Sequence, residues 1–75
     1  MALVTRLRSS VLKSEGKHLP VDCTYSVIQL ESGVHLQLDT YGSKERKIPG
    51  KNSQSLRLSP QALKTLKEII LEFGL

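Results

Sequence analysis

Aromatic residues are scarce: there is no tryptophan, and one phenylalanine and two tyrosines make up 4% of the 75 residues. That scarcity weakens the case for a binding face built from stacked rings. Cysteine is nearly absent as well, with Cys23 alone. A single thiol closes no internal disulfide, and secreted domains of this size normally depend on several, so a cytoplasmic location is expected. Cys23 itself reads as a small buried or half-buried apolar side chain. No apolar run approaches the roughly 18 residues that cross a bilayer. The opening MALVTRLRSSVLK has arginines where a signal peptide needs its apolar centre, so no membrane partner is expected.

Motifs of catalysis are missing too. His18 and His35 have no Cys, Asp or Glu at a metal-ligand spacing, and they read as solvated or hydrogen-bonded side chains. No strand-turn-helix elbow frames a serine. Gly50-Lys51 lacks both the earlier glycine and the following Ser or Thr of a phosphate-binding loop. A domain this small is also expected to offer little room for a concave pocket. Neither an enzyme, nor a cofactor, nor a metal, nor a small-molecule substrate is therefore expected.

What the chain does have is unevenly placed positive charge, with a net charge of +4 and a pI near 9.5. Residues 1–17 set Arg6, Arg8, Lys13 and Lys17 against Glu15, whereas residues 18–41 carry only Asp22, Glu31 and Asp39 as formal charges. Residues 42–57 then hold Lys44, Arg46, Lys47, Lys51 and Arg57 against Glu45 alone. Such concentration points to an anionic partner more strongly than the total does.

The length allows one domain, residues 1–75, and a chain this short buries only roughly 60% of the surface its unfolded form exposes. Dimerisation would enlarge so small a core. Residues 3–12 read either as a strand, with Leu3, Thr5, Leu7, Ser9 and Val11 on one side, or as a helix with Leu3, Leu7 and Val11 in a stripe. Val, Thr and Ser favour strand, so residues 1–17 are taken as an extra strand or a flexible arm. Lys13 to Pro20 reads as loop.

Asp22 to Leu30 is a strand by its Val, Ile, Thr and Tyr content, and Glu31-Ser32-Gly33 turns the chain, with Gly33 free to take positive φ. Val34 to Tyr41 alternates most regularly, with Val34, Leu36, Leu38 and Thr40 on a dry face and His35, Gln37, Asp39 and Tyr41 on a wet one. GSKERKIPGKNSQ then reads as a long exposed hairpin loop, followed by a short strand from Gln54 to Leu58. Ser59-Pro60 starts a helix whose Leu63, Leu66, Ile70 and Phe73 form an apolar stripe assigned to the core, and Gly74 stops it. The fold expected is α+β: a small antiparallel sheet of three to four strands with one C-terminal helix packed on one face, in the order β-β-β-β-α.

Lysines and arginines on a hairpin loop can neutralise phosphates and release counterions, although composition alone favours a loop kept soluble by its charge. Tyr41, where the strand runs into the loop, offers a base-stacking platform, with Tyr25 on the neighbouring strand a weaker candidate.

The run from Val34 to Ile70, with its alternating strand ending in LDTY, its basic loop, IPGK, the strand LRL and SPQALKTLKEII, resembles the C-terminal domain of the transcriptional coactivator positive cofactor four. It is also similar to short uncharacterised bacterial proteins with a D-T-Y-G-S to P-G-K-x-S-Q tail. The coactivator resemblance implies a homodimer whose paired sheets bind single-stranded DNA, with the helices behind. It implies phosphate contacts from Lys44, Arg46, Lys47 and Lys51 on the loop, Arg57 on the next strand, and Tyr41 near the groove. Arg6 and Arg8 have no counterpart there and are candidates by charge alone. Asp39-Thr40 stands where that family prefers Arg-Glu, and Gly42 replaces its tryptophan. The expectation is a weakly sequence-selective binder of single-stranded DNA or RNA, a DNA-binding role tied to transcription regulation. The alternative is a small protein-interaction module without nucleic acid.

Overall fold

A computed structural model describes residues 1–41 and 52–75. Four strands, β1 (Ala2–Val4), β2 (Cys23–Leu30), β3 (Gly33–Tyr41) and β4 (Asn52–Leu58), precede one helix, α1 (Pro60–Phe73). They form a single sheet in the order β1-β4-β3-β2. The α+β class, the strand order in sequence and the C-terminal helix are as the residue pattern predicts.

The sheet is mixed rather than wholly antiparallel. β2, β3 and β4 are antiparallel neighbours, but β1 runs parallel to β4, with Ala2 opposite Leu56 and Val4 opposite Leu58. A tight turn makes its two strands antiparallel, and it says nothing about a strand tied in by a long connection. β1 is of the second kind, because residues 5–22 hold no regular element. The question of strand or helix over residues 3–12 resolves into neither beyond Val4.

The hairpin between β2 and β3 pairs Leu30 with Gly33 across Glu31-Ser32, and Gly33 has φ 123°. That backbone suits glycine, since a Cβ strains at such an angle. It also brings Gly33 against the start of α1: a Cβ built there would lie 2.9 Å from Pro60 Cγ. Hairpin turn and helix start are thus packed directly on each other.

Ser59 caps α1 by accepting a hydrogen bond at Oγ from the Ala62 amide at 3.2 Å, which stabilises a helix start by about 1 kcal/mol. Pro60 follows at a position where its missing N–H leaves nothing unpaired. At the other end Gly74 turns left-handed, and the Leu75 amide donates to the Ile70 carbonyl at 3.0 Å. Both helix boundaries therefore have local causes.

The helix covers only part of the apolar sheet face. Ala62 is fully buried and Leu58 is 5% exposed, whereas Leu63, Leu66 and Ile69 are half-buried. Ile70 is exposed and Phe73 is 68% exposed, so the predicted core stripe ends at mid-helix. Its contacts with the sheet run to β3 and β4. On the same sheet face Tyr25 and Val27 are 74% and 67% exposed. Cys23, expected buried or half-buried, is exposed for the same reason: it lies on the edge strand β2, beyond the helix. Among the described residues, no helix is long and apolar enough to cross a membrane.

Candidate nucleic-acid interface

The other sheet face carries the polar side chains. Strand alternation and the pairing of Thr24 with Asp39, Ser26 with Gln37, Gln37 with Arg57 and Asp39 with Ser55 bring these residues onto one surface. They join into a ladder. Arg57 donates from Nε and Nη2 to Gln37 Oε1 at 3.1 and 2.6 Å, and Gln37 Nε2 in turn donates to both Asp39 carboxylate oxygens at 3.1 and 3.2 Å. Ser55 Oγ donates to Asp39 Oδ1 as well. Hydrogen bonds to charged groups contribute about 1.5–3 kcal/mol each, so this chain fixes the side chains it links.

The face predicted to be wet is therefore half-buried: Gln37, Asp39, Tyr41, Ser55 and Arg57 are all intermediate in exposure, and His35 is only 3% exposed. Alternation tells which residues share a face, but not whether that face is covered by its own side chains. His35 is hydrogen-bonded, as one of its two predicted states required, through Nδ1 to the Gly33 carbonyl at 3.0 Å. His18, which is exposed, bonds through Nδ1 to the Gly16 carbonyl at 2.8 Å.

Tyr41 ends β3 on this polar face, where its hydroxyl meets Thr24 Oγ1 at 3.0 Å. The β3–β4 register shifts between Thr40 and Tyr41, so that Tyr41 pairs with Asn52. A register shift of this kind interrupts the regular ladder at the end of β3. Tyr25 pairs with Leu38 and belongs to the opposite face, which separates it from Tyr41. The two rings thus cannot form one stacking surface within a single chain.

No protein-family model, curated protein or solved structure matches this chain. The resemblance to the positive cofactor four domain accordingly stands on the residues quoted for it.

Of the cations singled out by the sequence, Arg57 is on the polar face and shares it with Tyr41. Arg6 and Arg8 are exposed and lie in the irregular stretch after β1; Arg8 borders a cavity of about 530 Å³ that also touches Glu68 and Glu72 on α1. The negative charge that Glu68 and Glu72 bring to the same cavity makes Arg8 a poorer phosphate contact than its charge alone suggests. Lys44, Arg46, Lys47 and Lys51 lie outside the described residues. Among the described residues there is no group of three His, Cys, Asp or Glu able to hold a metal ion.

Sequence reasoning missed two things. Concave space is present: besides the cavity beside Arg8, one of about 310 Å³ is lined by Met1, Leu3, Leu30, Ser32, His35 and Arg57. It also missed Gln37 as the link between Arg57 and Asp39. The signal was available, because Gln37 and Asp39 are neighbours on one face of the most regular strand, but their cross-strand partners depend on register.

Proposed function

We propose that the protein binds single-stranded nucleic acid, DNA or RNA, with weak sequence selectivity, through the polar sheet face and the cationic segment that follows Tyr41. The observation that carries this reading is the shared face of Tyr41 and Arg57, at the hairpin whose connecting residues include Lys44, Arg46, Lys47 and Lys51. A half-buried ring can stack a base, a preset guanidinium can meet a phosphate, and four further cations in one short connection supply the non-specific attraction. A role in transcription regulation is supported by the resemblance alone.

Titration of a fluorescent oligonucleotide at several salt concentrations tests this. Four or five phosphate contacts on a single strand give a log–log salt slope of roughly −3 to −3.5, at about −0.7 per contact. Absence of binding at low salt removes the reading.

The same proposal includes a homodimer. Tyr25, Val27 and Leu56 leave apolar surface open on the sheet, and Phe73 leaves more on the helix, around a core in which few side chains are buried. A second copy covers such surface without needing any other partner. Val27→Lys, which places a charge on that face, is expected to shift the sedimentation of the protein from dimer to monomer. A wild-type monomer at tens of micromolar in the centrifuge would refute the homodimer. The open face also favours the second reading, a module that docks a foreign protein. Pull-down from nuclease-treated lysate separates the two: one stoichiometric protein partner supports the second, and partners lost with nuclease support nucleic acid.

A further inference from the structure

The cavity of about 310 Å³ at the β1 end of the polar face combines three apolar walls, Met1, Leu3 and Leu30, with Ser32, His35 and Arg57. Its polar groups are set in advance. Arg57 spends Nε and one Nη2 hydrogen on Gln37, and Gln37 is itself held by Asp39. The outer end of the guanidinium, with Nη1 and the second Nη2 hydrogen, has no protein partner among the described residues. Among the described residues the Gln37 amide stands between Arg57 and the Asp39 carboxylate. His35 likewise uses Nδ1 on the Gly33 carbonyl, which leaves Nε2 without a protein partner among the described residues. No buried side-chain nitrogen or oxygen among the described residues lacks a hydrogen bond, so Nε2 must keep access to solvent. His35 is 3% exposed and lines this cavity, so the cavity is its route.

We propose that this cavity is a binding site for a small organic monocarboxylate with a compact apolar tail. The free end of a guanidinium offers two parallel N–H donors that match the two oxygens of a carboxylate. One guanidinium fork matches one carboxylate. Met1, Leu3 and Leu30 give the apolar tail its walls, and the volume of about 310 Å³, at the small end of ligand cavities, suits a tail of a few carbons. Inorganic phosphate fits poorly, because its second charge and its hydration shell meet apolar walls. The ligand needs neither base nor phosphodiester, but it takes the guanidinium end that the proposed nucleic-acid contact would also use, so the two compete for Arg57.

The test is a chemical-shift titration of isotope-labelled full chain with hexanoate, hexanamide and inorganic phosphate in parallel. Hexanoate is expected to give saturable shifts at Leu30, Ser32 and the Arg57 side-chain N–H. Hexanamide and phosphate are expected to bind at least about tenfold more weakly, because each lacks one half of the match. Arg57→Lys keeps the charge and loses the paired donors, and should weaken hexanoate by about the same factor. Equal shifts from hexanamide or phosphate, unsaturable shifts from hexanoate, or undiminished hexanoate binding by a folded Arg57→Lys variant would each overturn the site. The comparison of three ligands on the unaltered protein decides the matter even where the variant does not fold.

Discussion

Gly33→Ala should lower the stability of the fold by about 2–4 kcal/mol, the sum of backbone strain and displacement of the helix start. At φ 123° a Cβ is strained wherever it points, and here it points at the Pro60 ring, 2.9 Å from Cγ. The ring is rigid and sits at the first position of α1, so relief requires the helix start to move away from the hairpin. A domain of 75 residues has on the order of 4–11 kcal/mol to lose, so the change uses up a large share of its stability. Urea unfolding measures it. The double variant Gly33→Ala with Pro60→Ala separates the causes, because shortening the proline relieves the contact and leaves the strain. A Gly33→Ala protein as stable as the parent would show that the turn adapts at no cost.

Replacing Lys44, Arg46, Lys47 and Lys51 together by glutamate should reduce oligonucleotide affinity at least about 100-fold at low salt, with the salt slope falling by roughly 3. Four phosphate contacts at about −0.7 each make affinity fall roughly 50-fold when salt rises fourfold, and reversal adds repulsion to the lost attraction. Fluorescence anisotropy at two salt concentrations reads both quantities. Unfolding curves of the same variant, measured in parallel, separate a loss of affinity from a loss of folding. If affinity and slope both persist, the phosphate contacts lie elsewhere, with Arg57, Arg6 or Arg8.

The elements that depend on local chemistry were legible in the residues. Ser59-Pro60 and Gly74 bound the helix through bonds made within a few residues, and the alternation of Val34 to Tyr41 is a property of one strand. Gly33 announced its own turn. What depended on distant partners was not legible. β1 lies parallel because β4, far away in sequence, offers it an edge. Phe73 carries the apolar periodicity of a core residue, yet at the end of the helix it is left 68% exposed. His35 looks like a wet-face residue until Ile28, its partner on β2, and Arg57, diagonally across on β4, are placed beside it. The candidate site divides in the same way: Tyr41 and Arg57 could be named from the sequence, but the Gln37 relay that presets Arg57 needed the cross-strand register.

The pairing of Ala2–Val4 with Leu56–Leu58 closes a loop that spans most of the chain. Loop closure grows costlier with separation, so the contiguous unit of β2, β3, β4 and α1 can assemble before β1 has any partner, and the three-residue β1 adds last. In the native protein the order reverses. The shortest strand, held from one side, is the first to leave, in a local opening that leaves the helix and central hairpin in place. Met1 and Leu3 go with it, so the apolar walls beside Arg57 come and go with β1, and any ligand held there would slow amide exchange in that strand.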